Sequence, residues 1–226
     1  MEARTVEWTA PPEGLRERKK RLTRQRLTDT ATAMFLERGF DVVRVAEIAA
    51  ACGVSEKTVF NYFPTKESLL LDRWDTTAAS LRTGLADPDV SPVEAALRIL
   101  DAELGAMTAW IAAQDDPVAA GAAVQRFGDL IRDTPSLRAH HRDTLDRLVA
   151  IAAEIIAGRA GLHADDPEPQ IAATALLGLW QIQFGGLRGY LDGSRTPDQV
   201  REAVRVDVRR AAQVIDAGLR AFLADR

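Results

Sequence analysis

Between Gly39 and Leu70 the chain has few conformational choices. Val45–Ala51 allows only about two helical turns, with Ile48 and Ala49 directed inward, before Gly53 breaks the pattern. Ser55 then caps a second short helix running through Lys57, Thr58, Val59, Phe60 and Tyr62. Pro64 ends it by forcing Phe63 out of the helical region. Two short helices meeting across a glycine turn form a helix-turn-helix, whose second helix can enter a major groove while the first braces it. Ala49 and Val54 suit close packing between the two. Ile48, Val59 and Phe63 face a core, which leaves Glu56, Lys57, Thr58, Phe60, Asn61 and Tyr62 on or near the outer side.

The flanks extend this unit. Met1 to Gly14 contains Pro11, Pro12 and Gly14 without periodicity, so residues 1–15 are expected to be a flexible tail. From the basic run Arg16–Arg26 the chain passes into a helical stripe of Leu27, Ala31, Met34 and Phe35. Gly39 supplies a left-handed stop, with Phe40 folding back as its apolar partner. Thr65 caps a fourth helix expected to reach about Leu85. The boundaries are therefore a helix-turn-helix domain over 16–65 and a larger domain over 66–226.

Beyond residue 86, loop signals recur at Asp87-Pro88-Asp89, Asp115-Asp116-Pro117, Asp133-Thr134-Pro135, Asp165-Asp166-Pro167 and Thr196-Pro197. Proline just inside a helix, preceded by Asp, Ser or Thr, marks a start. Helices are expected at roughly 93–113, 118–132, 136–160, 168–191 and 197–223. No period-two run or Asn-Gly hairpin signal occurs, and aromatics are only 6% of residues, whereas strand-rich chains lean on branched and aromatic residues. The expectation is all-α, about nine helices.

Charge is unevenly shared. The whole chain carries a formal −4, yet Arg16–Lys66 holds eleven Lys/Arg against six Asp/Glu, and from Glu67 onward the count is seventeen against twenty-four. A basic front and an acidic rear point to one nucleic-acid-facing end. The single cysteine, Cys52, fits a reducing compartment. No leader pattern opens the chain, and the longest apolar run, near Ile171–Trp180, is too short for a membrane span. A cytoplasmic location without membrane association is expected.

Gly39-Phe40, Ile48-Ala49, Gly53-Val54-Ser55 and Phe60-Asn61-Tyr62-Phe63-Pro64-Thr65-Lys66-Glu67 together resemble the DNA-binding domain of the TetR/AcrR regulators, over about Leu22–Leu70 and without gaps. A helix-turn-helix alone is common; the aromatic–Pro–Thr–Lys–Glu exit at this distance is specific. The resemblance implies a homodimer on double-stranded DNA, a three-helix DNA-binding domain and a divergent C-terminal domain sensing a small-molecule effector; the alanine-rich helices would leave room there for something apolar and fairly large. It implies that Lys57 and Thr58 reach bases, that the Tyr62 hydroxyl meets a phosphate and that Lys66 meets another. A cation in the first turn of a helix opposes the macrodipole by roughly 0.3–1 kcal/mol, but beside a phosphate that helix end is an anion site.

One position departs from the family, which usually caps the second helix with Thr where this chain has Arg44. Losing a cap oxygen costs about 1 kcal/mol; either Arg44 compensates with a phosphate contact or the helix frays slightly. The candidate DNA-contacting set is thus Arg44, Ser55, Glu56, Lys57, Thr58, Asn61, Tyr62 and Lys66. Arg16–Arg26 is either a solvated helix start or a phosphate-binding arm that steepens salt dependence.

In the last segment Val204, Val208, Ala211, Ile215, Gly218 and Phe222 form a seam for another helix. Gly178, Gly185 and Gly189 lie near one face of the preceding helix. Glycine there costs about 1 kcal/mol each relative to alanine, which suggests close helix approach. Both stripes fit the family's four-helix dimer interface, or else packing within one chain. Met107, Trp110, Phe127, Trp180, Gln183 and Phe184 are the candidate effector-lining residues, large apolar groups with a polar one among them.

Other functions fit less well. No nucleophile elbow, phosphate loop, zincin pair or His-centred triad is present, so neither enzyme nor cofactor is expected. His140 and His141 point about 100° apart on a helix and make poor joint metal ligands. Cys52 reads as a small buried hydrophobe. A nonspecific architectural DNA binder is the main alternative, which the acidic rear disfavours.

Overall fold

The computed structural model describes residues 14–71 and 74–224. The expected flexible tail, apart from Gly14 and Leu15, lies outside them. The described residues form two compact units, one ending at Leu70 and the other beginning at Leu71.

In the first unit, α1 (Leu15–Arg38) buries Leu27, Ala31 and Phe35, one residue per turn on a single face. The helix stops at Gly39, whose φ of +87° suits glycine and whose N–H closes on the Phe35 carbonyl at 2.9 Å. Phe40 returns to the core with its ring centroid 4.8 Å from that of Phe35. Helices α2 (Val45–Ala51) and α3 (Glu56–Tyr62) follow, joined through Gly53 at φ +63°. Ile48, Ala49, Val59 and Phe63 are buried, as their spacing predicts.

The second unit holds α5 (Trp74–Ala86), α6 (Pro92–Ala112), α7 (Pro117–Asp133), α8 (Pro135–Ala160), α9 (Pro167–Tyr190) and α10 (Pro197–Ala224), while the four-residue α4 (Ser68–Leu71) ends at the boundary between units. Prolines open α6 to α10, where their missing N–H has no helical partner in any case. Ser91 and Asp116 cap α6 and α7 by accepting from the N–H groups of Glu94 and Ala119. Helix α8 ends on Gly161 at φ +67°. Its Arg159 donates to the Leu85 and Val90 carbonyls, both at 2.9 Å, tying down the α5–α6 connection.

The fold is all-α, with no strand among the described residues. The segment expected as one helix to Leu85 is described as α4 and α5, with residues 72–73 outside the description; this gives ten helices where about nine are expected. The core of the second unit gathers Leu81, Leu100, Leu104, Ile156, Leu176, Trp180, Val204 and their neighbours. Helix α10 packs on α9 and α6. Its Val204 and Val208 are buried there, so this part of the seam finds its partner helices within the chain. Phe222 has its side chain outside the described residues.

Candidate nucleic-acid interface and interior cavity

Ser55 organises the outer face of α3. Its hydroxyl accepts from the Thr58 N–H at 3.1 Å and shares a 2.8 Å hydrogen bond with the Thr58 hydroxyl. The cap thereby satisfies one of the four N–H groups that a helix start leaves without a partner. Val59 anchors the helix from below. Glu56, Lys57, Phe60 and Asn61 are exposed, and Thr58 and Tyr62 half-buried. The Thr58 hydroxyl is already engaged by the cap. Arg24 holds the far end of the helix, donating to the Tyr62 carbonyl at 3.1 Å with its guanidinium 4.7 Å from the Phe63 ring centroid.

At α2, arginine has no acceptor with which to cap. The Glu47 carboxylate instead reaches back to the Arg44 N–H at 2.8 Å, and Arg38 donates to its other oxygen at 2.8 Å. The Arg44 N–H, followed by the Arg38 guanidinium, holds the Glu47 carboxyl down to about 2. Arg44 itself is exposed, its Nε 3.6 Å from Glu47. The signal missed in the sequence was Glu47 at the third position of the helix, the second half of a capping box.

Thr65 and Ser68 cap one another, each hydroxyl accepting from the other's N–H at 3.2 Å. Lys66 between them is half-buried and donates to the Phe40 carbonyl, with its ammonium 4.4 Å from the Phe40 ring centroid and 5.6 Å from that of Phe35. One of its three donors is thus committed to the protein. The basic run Arg16–Arg26 forms the first turns of α1 and is largely exposed.

The effector candidates of the second unit separate. Trp180 is fully buried and donates to Glu103 Oε2 at 2.9 Å, while Thr77 donates to Glu103 Oε1 at 2.6 Å. Met107 is half-buried against the same core. Phe184 stands beside Trp74 and His141, with centroid distances of 5.8 and 6.2 Å. Burial, followed by the charge of neighbouring His140, lowers the His141 pKa. Phe127 is half-buried on α7, and Trp110 is 51% exposed on the last turns of α6. Of the six, Gln183 alone lines a groove of about 460 Å³ formed along α6, α9 and α10.

The glycines of α9 also divide. A Cβ on Gly186 would meet Val204 of α10 at 3.3 Å, the close approach within the chain. At Gly178, Gly185 and Gly189 it would meet nothing within 4 Å. Ile171 and Ile182, exposed, continue that open face at heptad spacing.

Residues 27–72 match the model of the bacterial regulatory proteins of the tetR family, and residues 113–184 match the MftR C-terminal domain. The regulator TcmR of Streptomyces glaucescens is 30% identical over 154 residues, covering 68% of this chain and 67% of that protein. A putative mycofactocin biosynthesis transcriptional regulator, MftR of Mycobacterium tuberculosis, is 27% identical over 162 residues, covering 72% of this chain and 78% of its own. Among solved structures, NalD, the secondary repressor of the MexAB-OprM multidrug efflux pump in Pseudomonas aeruginosa, superposes with a TM-score of 0.51 at 21% identity, covering 85% of this chain and 97% of that one. The chain belongs to the TetR family of transcriptional regulators. No described helix is long and apolar enough to cross a membrane.

Proposed function

We propose that the protein is a homodimeric repressor that binds a pseudo-palindromic operator and is released from it by a small, largely apolar effector. The observation that carries this reading is α3 itself, a capped, core-anchored helix presenting Lys57 and Asn61 to solvent. Lys57, Thr58 and Asn61 meet base edges; Arg44, Ser55 and Tyr62 meet phosphates, Lys66 adds the donors that Phe40 leaves over, and Glu56 adds discrimination by repelling misplaced phosphates. In a dimer, two such helices read half-sites about 34–36 Å apart. The open glycine and isoleucine face of α9 supports pairing with a second copy, since small residues permit close helix approach. The effector acts by binding one conformer better than the other, with release following that difference in affinity.

The test is binding to the DNA upstream of the protein's own reading frame against a scrambled duplex at matched salt. A dimer-sized complex on the native fragment alone supports the proposal. No preference for any fragment in a genome-wide selection sinks it in favour of nonspecific binding.

A further inference from the structure

We infer that Phe60 is a specificity residue of α3, reading the C5-methyl group of a thymine in the operator. The inference rests on the proposed entry of α3 into a major groove, and it adds a residue that the hydrogen-bonding set there leaves out.

Helix α3 has a buried side and an open one. Val59 is 1% exposed and Phe63, just past the helix, is fully buried. Phe60, one residue on and therefore about 100° round the helix from Val59, is 45% exposed. Among the described residues it is the one large apolar side chain exposed on α2 or α3. Lys57 and Glu56 lie three and four positions before it, spacings that make them its neighbours on the helix surface. Asn61, next in sequence, is exposed as well. The rings of Phe35, Phe40 and Phe63 pair with one another or with Lys66 and Arg24, and Phe60 takes part in none of these contacts. A single exposed phenylalanine is ordinary on a protein surface. Its place on this helix, among the polar open positions Glu56, Lys57 and Asn61, is what gives it a partner.

The ring has neither donor nor acceptor, so it cannot exchange hydrogen bonds with a base edge or a phosphate. Over a phosphate it would strip water from an anion and give nothing back. Major-groove edges present donors and acceptors, and thymine alone adds an apolar group, its C5-methyl. Ring against methyl removes water from both and leaves no polar atom unpaired. Phe60 therefore favours a T·A pair over C·G, whose cytosine carries only a hydrogen at C5, while Lys57 and Asn61 beside it supply the hydrogen bonds.

The experiment measures binding of the full chain to its operator, the fragment preferred over scrambled DNA, by fluorescence anisotropy at fixed salt. Thymines are replaced by uracil one position at a time, symmetrically in the two half-sites. The replacement deletes the methyl and keeps every hydrogen-bonding group. At one position uracil is expected to weaken the unmodified protein by about fourfold for each methyl lost, the factor for one buried methyl group. Phe60→Ala is expected to bind the thymine operator at least that much more weakly and to respond no further to uracil at that position. Its response at other positions should match the parent. Alanine at an exposed helix position favours the helix; circular dichroism checks folding, and Phe60→Gln decides if Phe60→Ala does not fold. Uracil without effect at any position overturns the inference, as does an equal effect on parent and variant at every position. An equal loss by Phe60→Ala on operator and scrambled duplexes places the ring against the sugar–phosphate rim and overturns it too. A parent protein that prefers no fragment at all defeats the repressor reading itself. One that prefers its operator yet ignores the methyl defeats only the thymine assignment.

Discussion

The Lys66 ammonium donates to the Phe40 carbonyl and stands 4.4 Å from the centroid of the same residue's ring. One side chain thereby fastens the turn after α1 to the segment that follows α3. Lys66→Met keeps the aliphatic stem and removes both interactions. It is expected to destabilise the first unit by about 1–2 kcal/mol, seen as a lower denaturant midpoint without DNA. A midpoint that does not move, with DNA affinity alone reduced, would assign Lys66 to phosphate contact only.

Lys57 has the opposite profile, being exposed on the outer side of α3. Lys57→Ala should leave thermal stability within about 0.5 kcal/mol of the parent. Operator affinity should fall by about 1–3 kcal/mol if the residue reads a base. Fluorescence anisotropy on operator and mutated duplexes checks this, and a uniform loss on every sequence would mark a phosphate contact instead.

Glu47 makes acid stability a local matter. Its folded carboxyl titrates near 2, held down first by the Arg44 N–H and then by Arg38, against an ordinary value of 4.5. A depressed folded pKa contributes stability that is fully present above the ordinary value and lost as pH falls toward the folded one. The unmodified protein should therefore melt higher than Glu47→Gln at pH 7, with the gap closing between about pH 4.5 and 2. Thermal melts across that range measure it; a gap independent of pH would refute the coupling.

The open face of α9 distinguishes folding from pairing. Gly185→Leu adds a side chain where a Cβ meets nothing within 4 Å, so the unit should fold with no clash of its own. If two copies approach across this face, sedimentation equilibrium will show the variant shifted toward monomer. A variant that remains dimeric with the parent's dissociation constant would place the interface elsewhere.

Local rules made the first unit readable. Gly39 and Gly53 both have positive φ, Ser55 caps α3 and Pro64 follows its end, each a choice imposed within four residues. Proline likewise marked the start of α6 to α10. The interior of the second unit was opaque because its polar contacts span long stretches of chain. Trp180 meets Glu103 across 77 positions, and Arg201 meets Asp101 across 100. Two acids within the apolar run of α6 were the available hint, since a carboxylate there needs a partner from another helix. Aromatic size drew attention to Trp110 and Phe127, but size does not reveal which face of a helix meets empty space.

The two units have different hydrophobic interiors: Leu27, Phe35, Ile48 and Phe63 in one, and a set confined to residues 78–212 in the other. The side chains beneath α3, Val59 and Phe63 among them, belong to the first of these interiors. Under the proposed function, a lineage built this way can exchange the chemical it answers to while conserving the DNA word it reads, and gene duplication then yields sensors for new compounds without rewriting the genome's binding sites.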